Sequence, residues 1–219
     1  MLTFNIKKDI RTFKSGQQIK IDLDVIKYTA LVGKNGCGKS TLFHALRAKF
    51  PRKKEINLWA NDLTKLLDSI EIITDYEEII FLDTIMDDPS DMNNAYDACS
   101  YIDSGGFAAK NLSHGQKQLN MMISLLDTIK PTSKKSLVVF DEVDTGFDLR
   151  FQKAYMNISK KLMIEKSYHS IMITHNTIAM MMSHIVFDLE DALLGNKGFK
   201  NAKTYLNEKI EMNKIWEGA

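Results

Sequence analysis

This chain of 219 residues has few cysteines and almost no net charge. Its two cysteines, Cys37 and Cys99, are too few for a disulfide framework or for a zinc site with four cysteine ligands. Twenty-nine lysines and arginines stand against 28 acidic residues, so the net charge of +1 does not indicate nucleic acid or a membrane surface as a partner. These absences favour a globular protein of the reducing cytoplasm.

Long apolar runs are missing as well. No stretch approaches the roughly 18 residues that a membrane-spanning helix needs. Lys7, Lys8 and Asp9 occupy the place where a secretory signal would carry its apolar core. We therefore expect neither membrane insertion nor secretion. Lysine outnumbers arginine 25 to 4 and proline occurs three times, a bias typical of low-GC bacteria and their phages.

The hydrophobic pattern indicates an α/β protein. Period-two alternation over residues 2–7 and 18–23 predicts an antiparallel pair, and a buried strand at 28–32 leads through Gly33 into a helix over 40–50. From residue 113 onward helices and strands alternate, which predicts a parallel sheet covered by helices. The elements expected there are helices at 116–129 and 149–165, strands at 137–140, 170–174 and 184–187, and a helix at 205–216. Between residues 56 and 110 the pattern is ambiguous, with strands at 70–74 and 79–85 and helices at 62–67 and 91–102.

Residues 33–40 match the phosphate-loop pattern GxxxxGK[ST] between the predicted strand and helix. Chance alone produces this pattern in on the order of one chain in a hundred, so a glycine turn without a ligand is the weaker alternative. Backbone amides at the start of the helix would hold phosphates, Lys39 would neutralise the β- and γ-phosphates, and Ser40 would bind Mg²⁺. The predicted nucleotide-binding residues here are Gly33, Lys34, Asn35, Gly36, Cys37, Gly38, Lys39, Ser40 and Thr41.

Two acids follow the apolar residues 137–140, at the carboxyl end of a predicted strand. In combination with the phosphate loop, this pattern predicts that Asp141 contributes to the Mg²⁺ shell and that Glu142 is the general base for the attacking water. The expected activity is hydrolysis of a nucleoside triphosphate, with the choice between adenine and guanine left open.

Leu112-Ser113-His114-Gly115-Gln116 resembles the LSGGQ signature of the ABC-type ATPases at four of five positions. The resemblance implies a homodimer with two ATP molecules in its interface, in which Ser113, Gly115 and Gln116 hold the nucleotide of the opposite subunit. It also implies an ABC ATPase P-loop fold with a mixed sheet and an N-terminal antiparallel β-subdomain. His114 replaces a glycine, either as a contact residue or as a tolerated change.

Four further residues receive roles from this resemblance alone. Asp148 resembles the acidic residue that crosses the dimer interface, and His175 resembles the histidine that contacts the γ-phosphate from a strand end. Phe13 occupies the place of an upstream aromatic that stacks on adenine, and Arg11 that of a basic residue that contacts phosphates. For Phe13 and Arg11 an ordinary position on a strand surface is the alternative.

The chain departs from the transporter ATPases at two points. No glutamine occurs from Thr41 to Asn111, where the family places a metal ligand that reports to a membrane partner, and the interval is short. Residues 141–148 also lack the proline that transporter ATPases commonly carry after the two acids, in the sequence DEPTSALD. The segment looks more like that of the SMC and recombination ATPases. The acids that could replace the glutamine are Asp75, Glu77, Glu78 and Asp83, of which Asp83 is the best placed.

These features together predict one domain. Residues 1–55 and 136–190 would form the nucleotide-binding core, 56–135 a reduced helical lobe with the signature, and 191–219 a helical tail. The main functional hypothesis is an ATP-dependent dimerisation switch for a DNA-processing, defence, counter-defence or regulatory protein, with direct DNA binding left open. The alternative is the ATP-binding subunit of a membrane transporter.

Overall fold

The computed structural model describes residues 1–24, 28–50, 60–83, 134–141, 149–166 and 168–217. The strands are β1 (Leu2–Ile6), β2 (Gln18–Ile21), β3 (Tyr28–Val32), β4 (Ile70–Thr74), β5 (Glu78–Asp83), β6 (Ser136–Asp141), β7 (His169–Ile173), β8 (Ile185–Asp188) and β9 (Phe199–Asn201). The helices are α1 (Lys39–Lys49), α2 (Ala60–Ser69), α3 (Leu149–Lys166), α4 (Thr177–Ser183), α5 (Leu189–Leu193) and α6 (Ala202–Glu217).

The strands form two sheets. The smaller sheet is antiparallel, in the order β2-β1-β4, and the larger one has the order β5-β6-β7-β3-β8-β9. In the larger sheet β5, β6, β7, β3 and β8 are parallel to their neighbours, and only β9 is antiparallel to β8. The expected mixed α/β fold with an N-terminal antiparallel sheet is thus confirmed.

Strand composition explains this division. All five residues of β3 are buried, as are the first five of β6, which is the pattern of parallel strands covered on both faces. In contrast, β2 alternates exposed and buried residues, as expected for an antiparallel strand with one solvated face.

Helix α1 joins the two sheets in one hydrophobic core. Its Leu42, Phe43 and Leu46 are almost fully buried and belong to the same cluster as Phe4 of the small sheet and Val139 of the large one. Burial of a leucine or phenylalanine side chain stabilises a fold by about 1.5–3 kcal/mol. The start of α1 is therefore held firmly against the carboxyl ends of the parallel strands.

The structure corrects two boundaries of the predicted organisation. Residues 70–83, assigned from sequence to the helical lobe, supply β4 to the small sheet and β5 to the edge of the large one. The tail is not only helical, since β9 pairs with β8 before α6 begins. The predicted helices at 91–102 and 116–129 lie outside the described residues. Two short helices that the sequence analysis missed, α4 and α5, begin at the side-chain caps Asn176 and Asp188.

Candidate functional site

The loop of residues 33–38 connects β3 to α1 at the carboxyl edge of the large sheet. Helix α1 has no acidic residue in its first turn, and among the described residues no side chain caps it at Gly38. The first backbone N–H groups of a helix have no partner within the helix, and the helix dipole makes this end attractive to anions. The residues predicted as a phosphate loop therefore stand at a helix end whose backbone and charge are suited to an anion.

Two glycines of this loop are required by its geometry. Gly33 has a φ of 146°, and a Cβ there would lie 2.7 Å from Sγ of Cys37. Gly38 has a φ of 110°, and a Cβ there would lie 2.7 Å from Cε2 of Phe13. Since side chains rarely adopt these φ values and have no space at either point, the loop conformation needs glycine at both positions.

Lys39 lies inside the loop rather than in solvent. Its side chain is buried, with a residue exposure of 5%, and Nζ donates to the carbonyl oxygens of Gly33 at 2.8 Å and of Lys34 at 3.2 Å. The ammonium group is thus held at the loop that precedes α1, where its charge would complement an anion.

A tight turn at residues 10–13, between β1 and β2, also contacts the phosphate loop. Ile10 and Phe13 exchange backbone hydrogen bonds of 3.1 and 2.9 Å across a two-residue turn, and Arg11 has a φ of 51°. Nη1 of Arg11 donates to Oγ1 of Thr41 at 3.1 Å, and Oγ1 of Thr12 donates to the Cys37 carbonyl at 3.3 Å. A positive φ in a residue other than glycine requires compensating contacts, and these hydrogen bonds supply them.

These parts surround a cavity of about 250 Å³. It is lined by Arg11, Thr12, Asn35, Gly36, Gly38, Lys39, Ser40, Thr41 and His175. Arg11 and His175 are 164 positions apart in the chain, yet both reach the phosphate loop. The structure therefore brings together most of the residues predicted for one half of a nucleotide site.

The carboxyl ends of three parallel strands meet beside this cavity. Asp141 ends β6 and is in register with Ile173 of β7, two residues before His175. It is also in register with Asp83, the last residue of β5 and the preferred substitute for the missing glutamine. Ligands of open α/β sheets bind at this edge, so both acids lie on the expected side of the sheet.

The position of Phe13 corrects its predicted role. The ring is fully buried, belongs to the main hydrophobic core and lies against Gly38. A ring enclosed in this way has no free face on which an adenine could stack. Phe13 supports the loop from the core side instead.

An ion pair that the sequence analysis missed joins the loop to α5. Nζ of Lys34 lies 2.7 Å from Oε1 of Glu190, although 156 positions separate the two residues. Burial opposes the ionisation of Glu190, but the hydrogen bond from Lys34 prevails and lowers the pKa of the Glu190 carboxyl. No sequence pattern predicts this pair, because the two residues do not belong to one motif.

The remaining predicted residues are not described. Glu142, Ser113, His114, Gly115, Gln116 and Asp148 lie outside the described residues. In the part of the chain that the structure does describe, no helix is long and apolar enough to cross a membrane. The same part contains no group of three or more His, Cys, Asp or Glu side chains arranged to hold a metal.

The donors at the cavity nevertheless fit Mg²⁺. This ion binds in nucleotide sites through one or two protein oxygens, substrate phosphates and waters, and does not need a cage of protein ligands. The Ser40 hydroxyl lines the cavity, and Asp141 lies at the adjacent strand end. A hydroxyl and a carboxylate form the oxygen donor set that such an ion requires.

Comparison with known proteins agrees with this geometry. The model of the family described as AAA ATPase domain matches residues 6–217. The energy-coupling factor transporter ATP-binding protein EcfA1 of Mesomycoplasma hyopneumoniae is 30% identical, with 91% of this chain and 79% of that protein covered. EcfA2 of Staphylococcus epidermidis is 22% identical, with 92% and 78% covered.

Solved structures show the fold. CbiO1 of Clostridium perfringens, part of the ABC transporter complex cbiONQ, superposes with a TM-score of 0.52 at 18% identity, with 98% of this chain and 93% of that one covered. The predicted placement nearest to the SMC and recombination ATPases is not supported, because these relatives are transporter ATP-binding proteins. The family match also extends through the tail as far as residue 217. This chain belongs to the AAA ATPase domain family and has the mixed α/β fold of the ABC ATPases.

Proposed function

We propose that this protein binds Mg-ATP in the cavity at the start of α1 and hydrolyses it. The observation that carries the proposal is the convergence of Lys39, Arg11 and His175 on one cavity beside a helix N-terminus with no acidic first turn. Two cationic side chains and a set of backbone amides are suited to a polyphosphate, which carries several negative charges.

Residues of the cavity and of the adjacent strand ends have separate roles in this proposal. Lys39 and the amides of 33–41 bind the phosphates, and Arg11 adds a second cation from the turn. Ser40 and Asp141 hold Mg²⁺, which neutralises charge on the phosphates when it is bound. Asp83 is the proposed additional ligand in place of the glutamine, since it is in register with Asp141.

Hydrolysis needs a base and a group that responds to the γ-phosphate. Glu142 follows the last residue of β6, and we assign it to accept a proton from the attacking water. His175 lines the cavity two residues after β7 and is the proposed γ-phosphate contact. Ser113, Gly115, Gln116 and Asp148 would complete the site from a second copy of the chain in an ATP-dependent homodimer.

For the partner, the comparisons favour the transporter alternative. EcfA1 and EcfA2 are both named as transporter ATP-binding proteins, and the match to each extends over most of the chain. We therefore propose that the ATPase acts in the cytoplasm and drives a membrane protein. The second candidate, a DNA-processing or regulatory partner, keeps two sequence arguments, the absence of glutamine from Thr41 to Asn111 and the absence of proline from residues 141–148.

Equilibrium binding and turnover of Mg-ATP test the function. Lys39→Ala should abolish tight binding, whereas Lys197→Ala, which removes an exposed lysine outside the cavity, should leave it unchanged. Equal binding by both variants would refute the proposed site. For the partner, duplex DNA should not bind; a DNA complex that weakens steeply with added salt would favour the second candidate.

A further inference from the structure

The ring of Phe13 packs against Gly38 of the phosphate loop and leaves no space there for a side chain. Gly38 immediately precedes α1, and the ring atom nearest to the site of its missing Cβ is Cζ of Phe13. The Phe13 ring is fully buried and belongs to the main hydrophobic core, and it lies against Gly38. A change of the ring should therefore shift Gly38, the residue that precedes the helix.

The rest of the turn strengthens this link. Thr12 donates a hydrogen bond to the Cys37 carbonyl, and its Oγ1 would lie 2.9 Å from a Cβ on Gly38. Arg11 donates to Thr41, which lies in the first turn of α1. Residues 11, 12 and 13 thus contact residues 41, 37 and 38 respectively, and together they constrain the carboxyl end of the loop and the first turn of α1.

We propose that the turn Ile10–Phe13 positions the phosphate loop for its anion, with Phe13 as the positioning residue acting through Gly38. The inference rests on the proposed function, because it needs a polyphosphate in the loop. If Phe13 acts through Gly38, it contributes to binding of the phosphate chain of the nucleotide and not of the base. Loss of the ring should weaken every ligand that carries the phosphates, whether or not it carries a base.

Three probes separate positioning from base stacking, namely ATP, GTP and inorganic tripolyphosphate, each with Mg²⁺. We expect Phe13→Ala to weaken all three by a similar factor of about tenfold. A stacking ring predicts a different result, with weaker ATP and GTP binding and unchanged tripolyphosphate binding. That second pattern would overturn the inference while leaving the proposed function intact.

Two milder variants keep the test decisive if Phe13→Ala folds poorly. Phe13→Leu retains a buried apolar side chain and should preserve most of the binding, whereas Phe13→Tyr adds a hydroxyl to Cζ, the atom nearest to Gly38, and should lose it. Base stacking predicts the reverse order, because tyrosine stacks and leucine does not. Tyrosine at wild-type affinity together with weakened leucine would therefore contradict the inference.

Phe4→Ala is the matched control for Phe13→Ala. Phe4 is buried in β1 of the small sheet, opposite Ile19 and Ile72. Phe4→Ala should lower the melting temperature about as much as Phe13→Ala does without changing affinity for any of the three probes. Wild-type protein that binds none of them would refute the proposed function itself, a result distinct from any ordering of the variants.

Discussion

Nζ of Lys39 lies 2.8 Å from the carbonyl oxygen of Gly33, so the lysine of the phosphate loop also closes the loop on itself. The ammonium group makes its second bond to the carbonyl of Lys34 at 3.2 Å. Both acceptors are carbonyl oxygens at the start of the loop, so the lysine side chain joins the two ends of the loop.

The shape of the Lys39 site leads to the first prediction. A planar guanidinium is broader than an ammonium and cannot occupy the same point between two loop carbonyls. We expect Lys39→Arg to weaken Mg-ATP binding by about tenfold or more despite its conserved charge. Isothermal titration calorimetry measures this, and wild-type affinity in Lys39→Arg would show that charge alone is sufficient.

Gly33 provides a second prediction, on stability. Gly33→Ala should lower the free energy of unfolding by about 1–3 kcal/mol, because the φ of 146° is strained for alanine and the Cβ meets Cys37. Gly36→Ala is the control in the same loop, since its φ of 80° is also positive but no atom lies within 4 Å of its Cβ. Urea unfolding of both variants should show the larger loss for Gly33→Ala. Equal losses would mean that the contact with Cys37 does not matter.

His175 should separate binding from turnover. It lines the cavity beyond β7, and the following residue, Asn176, caps α4 by accepting from the amides of Ile178 and Ala179. His175→Ala should reduce ATP turnover by about tenfold or more while changing ATP affinity little, because the contact is proposed for the γ-phosphate during reaction. Steady-state kinetics together with equilibrium binding test this. A parallel loss of both parameters would assign His175 to ground-state binding.

Dimer formation is the fourth prediction. Glu142→Gln removes the proposed base but keeps Asp141 and the phosphate loop, so ATP should remain bound between two chains. Light scattering should show an increase from the 25.0 kDa of one chain to twice that mass when Mg-ATP is added. The double variant Lys39→Ala with Glu142→Gln should stay monomeric. A mass that does not respond to ATP would mean that another protein supplies the second half of the site.

Asp75 leads to a prediction about acid stability. Burial disfavours its charged form, but hydrogen bonds from Lys135 at 2.6 Å and from the N-terminal amine outweigh this and lower the pKa of Asp75 to about 2. Because the folded pKa is below the ordinary value of 3.8, the stabilisation exists above that value and is lost as the pH falls toward about 2. The pair is half exposed, so its contribution is under about 1 kcal/mol.

The free energy of unfolding, measured in urea at neutral pH and at pH about 3, checks this effect. Asp75→Asn should lose less stability on acidification than the wild type does, while Asp68→Asn, which alters an exposed acid of α2, should follow the wild type. Identical acid sensitivity of Asp75→Asn and wild type would show that the pair with Lys135 does not stabilise the fold.

Much of the site was predictable because its information is local. The glycines, lysine and serine of residues 33–40 are contiguous, and their function requires only a strand, a turn and a helix start. The strands predicted at 2–7, 137–140 and 170–174 followed in the same way from apolar patterns of a few residues, and the structure places them at Leu2–Ile6, Ser136–Asp141 and His169–Ile173. Asp141 could be placed at a strand end because an apolar run precedes it.

The tertiary structure alone decided where distant residues lie. An aromatic residue at position 13 is compatible with stacking on a base or with burial, and only the packing of the turn against Gly38 shows that Phe13 is buried. The pair of Lys34 with Glu190 and the sheet positions of β4 and β5 likewise depend on partners far away in the chain. Local propensity determines which element a segment forms, whereas burial and ion pairing depend on which elements pack together, and that is a property of the folded chain.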